Sequence, residues 1–372
     1  MDTRDFSSFE GLQLTESILS AFREDGILEP SPVQLEAIPA ILEGKHVVLE
    51  SGTGTGKTLA YLLPILERLK DPTLGRTVVM TPATELALQI LHTANRYKAE
   101  EITTGAAVST IKHKRQKQGV TKSTRLIVGT SGRILELYEA KKMKQVTTMV
   151  LDESDPILNG KSGNYLREVL SRPEPKVQLI IAAATIGPES LKFIKKQMGG
   201  HYVHVQPKDN PLHQNIEHSF IGLRTGENKD VLLARFLDNN KVKKGIIFVS
   251  REQSLRHLYR FLTEEGLNPV SLSNERSKLD RKEAIESMST GKARVLITTD
   301  AAGRGLDFPE TPWVLHYELP TSAQAYVHRA GRTGRAGKDG NSVAFLFDKE
   351  RTVLKRFAKE LGIKCEPYRR EK

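Results

Sequence analysis

Short apolar runs rich in Val and Ile, each closed by a polar turn and followed by a segment of helical period, recur along the whole chain. Runs of that length that are apolar on both faces are strands covered from both sides, and alternation with helices makes a parallel sheet sandwiched between helical layers. The expected strands of the first half are His46 to Glu50, Thr77 to Thr81, Ala106 to Ser109, Arg125 to Gly129, Thr148 to Asp152, Gln178 to Ala183 and Tyr202 to Val205. The rhythm breaks at 206–213, QPKDNPLH, where two prolines and little that can pack mark a linker. A second series follows near Ser219 to Leu223, Gly245 to Ser250, Pro269 to Ser273, Arg294 to Thr298, Trp313 to Tyr317 and Ser342 to Phe347. With 372 residues the chain is long enough for two cores. The expectation is an α/β chain of two tandem domains, 1–206 and 214–372, joined by a linker at 207–213, with a cleft between them. The stripe Leu255, Leu258, Tyr259 and Leu262 in the helix expected from Gln253 to Glu265 is read as core.

Charge narrows the partners. Lysine and arginine number 56 against 45 aspartates and glutamates, a net charge of +11, which favours a polyanion such as nucleic acid. The excess gathers at Lys112 to Lys117, Lys141 to Lys144, Lys241 to Lys244 and Arg369 to Lys372. Each patch alone reads as a solvated face, and only their sum argues for nucleic acid. The single cysteine, Cys365, excludes an intramolecular disulfide and any multi-cysteine metal site, which fits a reducing cytoplasm. No apolar run reaches the roughly 18 residues that cross a bilayer. The start, MDTRDFSSFEG, lacks the apolar region of an export signal, so a soluble cytoplasmic protein without a membrane partner is expected.

Three segments carry chemistry. Ser51 to Thr58, SGTGTGKT, falls between a strand and a helix, where a glycine-rich turn aims backbone N–H groups and a helix N-terminus at phosphates. Ser51, Gly52, Thr53, Gly54, Thr55 and Gly56 would form the cradle. Lys57 would meet the β and γ phosphates, and Thr58 would offer its hydroxyl to Mg2+. Ser51 stands where the strict P-loop pattern has glycine. LDESD, Leu151 to Asp155, follows an apolar strand and so falls at the carboxyl edge of the sheet, where α/β folds place ligands. Asp152 there suits magnesium, and Glu153 suits orienting and deprotonating the attacking water. In the second half, TTDAAGRGLD and HRAGRTGR carry four arginines among glycines. Arg332 and Arg335, three apart on one expected helix face, are candidates for arginine fingers, with a surface salt-bridge set as the plainer alternative.

The order Gln34, SGTGTGKT, TPATELA, TSGR, DESD, AAT, FVS, TTDAAGRGLD and HRAGRTGR resembles the motif series of the DEAD-box ATP-dependent RNA helicases, and it covers essentially the whole chain. The resemblance implies two RecA-like domains that close on ATP, magnesium and an RNA strand. It gives Gln34 the adenine edge, Ile27 the floor beneath the base and Asp307 the ribose. It makes Pro82, Thr130, Gly132, Arg133, Thr299 and Arg304 RNA-backbone or interdomain positions, which do not read base sequence. Asp155, Ala183, Thr185 and His328 become the set that couples ATP to the closed state. The last expected helix, Arg351 to Leu361, is followed by few residues, so no appended RNA-binding module is expected, and the chain resembles a short, core-only, bacterial-like member acting as a monomer. Structured RNA such as ribosomal RNA is the substrate that this analogy suggests.

Several positions depart from the family pattern. Ile27 replaces an aromatic, Ala83 and Thr84 replace Thr and Arg, Ser131 replaces Pro, and Ser109-Thr110 falls where a glycine pair is usual. Ser154 replaces Ala in DESD, and Ala183 replaces Ser in AAT. Weaker adenine stacking and a weaker RNA grip in the first domain are expected. Two rival readings stay open: an ATP-gated RNA clamp with little unwinding, and a duplex-DNA translocase of the same superfamily.

Overall fold

The computed structural model describes residues 9–27, 29–52, 55–108, 120–141, 143, 145–158, 166–167, 177–206, 215–224, 226–273, 278–303, 311–334 and 338–369. The chain divides into two compact units, Met1–Asp209 and Asn210–Lys372. The expected linker at 207–213 lies outside the described residues.

Among the described residues the first unit holds seven strands: β1 (His46–Glu50), β2 (Arg76–Thr81), β3 (Thr104–Ala107), β4 (Leu126–Thr130), β5 (Val146–Asp152), β6 (Gln178–Ala183) and β7 (Tyr202–Val205). They pair in parallel in the order β3-β4-β2-β5-β6-β1-β7. Alternate residues of each strand feed two cores. Val47, Leu49, Val79, Ile180 and Ala182 pack on one face. Val48, Val78, Met80, Leu179 and Ile181 pack on the other. This period of two with both faces apolar explains why the sequence shows unbroken runs rather than alternation.

The second unit repeats the plan with β8 (Ile216–Gly222), β9 (Gly245–Val249), β10 (Pro269–Leu272), β11 (Val295–Thr299), β12 (Trp313–His316), β13 (Gly340–Leu346) and β14 (Glu366–Pro367). Their order is β10-β11-β9-β12-β13-β8-β14, which is the first order with seven added to every strand number. The two halves therefore share one topology, although their letters show only a common rhythm. Leu255, Leu258 and Leu262 are buried and Tyr259 packs against them, so the stripe is core.

Differences from the expected elements are local. Most strand ends shift by one to three residues, as hydrogen bonding rather than apolarity sets them. The last helix runs Asp348–Leu361 and starts earlier than its apolar period suggests, because the Phe347 N–H donates to Glu350 Oε2 at 2.8 Å and closes the first turn. The two-residue strand β14 is too short for any periodic signal. It is held on the edge of β8 by the Tyr368 N–H to Phe220 O bond of 2.8 Å and by the Tyr368 ring against Phe236, with centroids 5.1 Å apart. Pro367 fits there because an edge strand can leave its missing N–H unpaired.

Candidate functional site

The strand order brings three carboxyl ends together. In the first sheet β1 lies between β6 and β7, with β5 next beyond β6, so Glu50 stands opposite Ala183 and Asp152 opposite Ala182. The Ser51 N–H donates to Ala183 O at 3.1 Å and the Ser154 N–H to Ala182 O at 3.3 Å. SGTGTGKT, LDESD and AAT thus leave the sheet side by side.

Beyond β1 the chain turns into the helix Lys57–Arg68, whose N-cap Gly56 has φ +89°. Only glycine takes that backbone without strain, and a Cβ there would also stand 2.5 Å from Gln34 Nε2. Gln34 donates from Nε2 to Gly56 O at 3.3 Å and accepts the Ser31 N–H on Oε1 at 2.9 Å. It therefore fixes the loop. Inside the loop Ser51 Oγ donates to Thr55 Oγ1, and Thr55 Oγ1 to Gly52 O, both at 2.9 Å. The serine in the departed glycine position thus takes part in the cradle's own bonding. Lys57 Nζ donates to Ser51 O and Gly52 O. A phosphate chain would replace these two carbonyls. Burial pulls the Lys57 ammonium down to about 8 against the upward pull of Asp152 and Glu153.

Asp152 is buried, and its carboxylate is clamped. Tyr61 OH donates to Oδ2 at 2.8 Å and the Glu153 N–H to Oδ1 at 2.9 Å. Burial first, then the neighbouring Glu153, raise this carboxyl to about 6, while Tyr61 and Lys57 pull the other way. Burial and Asp152 together push the Tyr61 phenol well above its usual range, so it stays a donor. Glu153 follows with φ +48°, a left-handed backbone that is rare for such a residue and turns its side chain off the strand direction. A carboxylate on a left-handed backbone beside a buried, hydrogen-bonded one could supply a water-activating and a cation-holding group. A divalent cation fits, since two adjacent carboxylates, one of them buried, face a single cation, Lys57, among the described residues.

Of the remaining first-unit residues, all but Ile27 lie at or just past the carboxyl ends of strands. Ile27 is half-buried and packs on the core that contains Phe22. Pro82 follows β2 in a turn that Thr81 Oγ1 secures by donating to Ala83 O at 2.9 Å, and Thr84 opens the helix Thr84–Tyr97. Thr130 is the N-cap of the helix Ser131–Glu139; a Cβ at Gly132 would meet nothing within 4 Å, and Arg133 pairs with Glu136 one turn on. Ala183 is buried and Thr185 half-buried. Asp155 opens the four-residue helix Asp155–Leu158, and its side chain lies outside the described residues. So do Thr53, Gly54, Arg304, Asp307 and Arg335.

In the second unit Thr299 ends β11, and its Oγ1 accepts the Ala302 N–H at 3.2 Å, so the hydroxyl caps the helix Asp300–Gly303. Arg329, only 1% exposed, grips Asp300 with two hydrogen bonds of 2.6 and 2.8 Å, donates to Glu318 O at 2.6 Å and lies over the Phe248 ring. That arginine ties FVS, TTDAAGRGLD and HRAGRTGR into one body. His328 is half-buried in the last turn of the helix Ala323–Ala330.

The expectation that Arg332 extends a helix face with Arg335 is corrected. The helix stops at Ala330; Gly331 is its C-cap, and the N–H groups of Arg332 and Thr333 bond to Arg329 O and Ala330 O, three residues back. Gly334 then takes φ +66°, so Arg332 belongs to a tight turn, where glycines let the backbone reverse.

Three residues of this set escape a motif reading. Tyr61 carries a faint signal, one helical turn beyond Lys57 and so on the same face. Arg329 and Asp300 sit inside quoted motifs, but nothing in sequence tells a buried pair from a solvent-facing one.

Two family models match this chain: DEAD/DEAH box helicase over residues 31–194 and helicase conserved C-terminal domain over residues 228–337. The DEAD-box ATP-dependent RNA helicase RhpA of Helicobacter pylori is 32% identical over 371 residues, covering 97% of this chain and 74% of that protein. The DEAD-box ATP-dependent RNA helicase CshC of Bacillus cereus is 34% identical over 350 residues, covering 92% and 88%. Among solved structures, S. cerevisiae Dbp5 bound to RNA and ADP BeF3 matches with a TM-score of 0.84 at 27% identity, covering 97% of this chain and 95% of that one.

Proposed function

Because the chain belongs to the DEAD/DEAH box helicase family, we propose a division of labour for its residues in the ATP-dependent RNA helicase activity that the family carries. The observation that carries it is the junction of Lys57, Asp152 and Glu153 at the ends of β1 and β5, beside the Gln34–Gly56 contact. Lys57 and the loop N–H groups hold the nucleotide's phosphates. Gln34, already fixed by Ser31, presents its amide to the adenine edge. Glu153 orients the attacking water and takes its proton, and Asp152 with Thr58 holds Mg2+, which when bound offsets phosphate charge. Tyr61 keeps the Asp152 carboxylate in one orientation. Arg332, with Arg335, stabilises the charge that builds on the transferring phosphoryl group.

The RNA contacts run through Pro82, Thr130, Gly132, Arg133, Thr299 and Arg304, with the basic surface adding diffuse attraction. ATP and RNA together favour a closed state that bends the strand and strips pairs from a short duplex, and phosphate release reopens it. Large structured RNA in the cytoplasm is the proposed substrate, and the protein acts on it as a monomer. No helix among the described residues is long and apolar enough to cross a membrane.

ATPase stimulation by RNA and by DNA of the same sequence, followed by displacement of a short RNA duplex, tests this reading. Stimulation by RNA alone, with displacement, is expected. Equal stimulation by duplex DNA would mark a DNA translocase instead. A clamp is the second reading, because Ala183 and Ala184 bring no hydroxyl to the segment that precedes Thr185. It predicts RNA-stimulated ATPase and ATP-dependent RNA retention without displacement.

A further inference from the structure

Glu50 is the last residue of β1, directly before the P-loop, and the motif reading gives it no role. Its carboxylate is gripped from both neighbouring strands. Oε1 accepts the Ile186 N–H at 3.0 Å, from the turn just past Thr185, and Oε2 lies 3.0 Å from His204 Nε2 on β7. The Glu50 side chain is 17% exposed; its bond to the Ile186 N–H is partly shielded from water, while the His204 contact lies at the surface.

The last described main-chain bond between β1 and the β6 segment is the Ser51 N–H to Ala183 O. Beyond it one chain runs into the P-loop and the other towards Thr185. Ala183 and Ala184 offer no polar side-chain atom to hold the two together. Glu50 bridges that gap, reaching three residues past its register partner Ala183 to the Ile186 N–H. His204, whose register partner is Val48, holds the other oxygen and keeps the carboxylate from swinging away.

We propose that Glu50 is a positioning residue that ties the Thr185 segment to the P-loop, so that nucleotide-dependent movement of the loop reaches the segment that couples hydrolysis to strand separation. The inference rests on the helicase reading above and on the coupling role of Thr185. Glu50 touches neither nucleotide nor RNA in this scheme; it acts through the Ile186 N–H.

The test compares Glu50→Ala, Glu50→Gln, His204→Ala, Thr185→Ala and the double variant Glu50→Ala with Thr185→Ala. RNA-stimulated kcat, KM for ATP and RNA duplex displaced per ATP hydrolysed are measured for each. Glu50→Ala is expected to lower displacement per ATP by about tenfold, or about 1.4 kcal/mol, with KM changed by less than about twofold. Glu50→Gln keeps an acceptor for the Ile186 N–H and is expected to recover most of the loss. His204→Ala leaves that bond and loosens only the second oxygen, with a loss of roughly threefold expected. The double variant is expected to be no worse than Thr185→Ala alone, since one route is cut twice. Additive losses, Gln as damaging as Ala, or Ala without effect would each overturn the proposal. Should Glu50→Ala fail to fold, Glu50→Gln and His204→Ala decide: a profound loss in the former, or none in the latter, overturns it. A wild-type protein with no RNA-stimulated ATPase would defeat the helicase reading itself, whereas an active wild type with unaffected variants defeats only this inference.

Discussion

Tyr61 donates a 2.8 Å hydrogen bond to Asp152 across 91 residues of sequence, joining the P-loop helix to the end of β5. The bond holds a buried carboxylate in one orientation, and its loss strands a charged acceptor. Tyr61→Phe is expected to destabilise the protein by about 1–3 kcal/mol and to reduce kcat for ATP hydrolysis several-fold. Denaturant unfolding and steady-state kinetics check both; unchanged stability and turnover would show that Asp152 needs no such support.

Lys57→Ala and Glu153→Gln should both abolish turnover but separate in binding. In the proposed division of roles Lys57 meets phosphate in the ground state and Glu153 acts on water, so the Gln variant should still retain ATP and RNA together. Equal loss of RNA binding in a pull-down with ATP would reverse the assignment of roles.

Two arginines of HRAGRTGR should behave oppositely. Arg329→Ala leaves Asp300 without its bidentate partner and is expected to cost on the order of 3 kcal/mol of stability. Arg332→Ala is expected to leave the melting temperature within about 2 °C while lowering hydrolysis on the order of a thousandfold, with ATP affinity nearly kept. Thermal melts paired with ATPase assays distinguish them.

Thr84 opens the helix after TPA, where the resembled family carries an arginine. Thr84→Arg is expected to add about one phosphate contact, steepening the slope of log RNA affinity against log salt by roughly 0.7 without changing sequence preference. An RNA titration across a salt series with a non-hydrolysable ATP analogue reads the slope. No change would mean that position 84 faces away from RNA.

His316 is buried, stacked on Tyr326 at 4.5 Å and within 3.0 Å of Ser342 Oγ. Burial, then Arg329 and His218, hold its imidazolium form well below the usual range. The unfolded chain therefore takes up the proton first. The associated stability is complete above the ordinary histidine pKa of about 6.5 and is lost as pH falls below it, at up to about 1.4 kcal/mol per pH unit. Melts between pH 8 and pH 5 should slope less in His316→Asn than in the wild type across roughly pH 6.5 to 5; parallel curves would assign the acid sensitivity to other groups.

The local chemistry was legible in sequence because it depends on neighbours along the chain. A Gly-rich turn before Lys57 and Thr58, two carboxylates after the apolar run of β5, and Val and Ile runs alternating with helices each declare themselves within a dozen residues. Folding decided what depends on partners far away. No periodicity reveals that the second sheet repeats the first strand for strand, because order is set by hydrogen bonds between distant segments. The two-residue β14 is too brief to carry a pattern, and it exists only where β8 offers an edge. The helix ends at Ala330, and Gly334 with its positive φ follows, so an apparent helix face at Arg332 is a tight turn. Tyr61 with Asp152, Arg329 with Asp300, and Glu50 with Ile186 and His204 are pairs that only the packed chain brings within 3.0 Å, and for the first two pairs and Glu50 with Ile186 burial strengthens the single hydrogen bond.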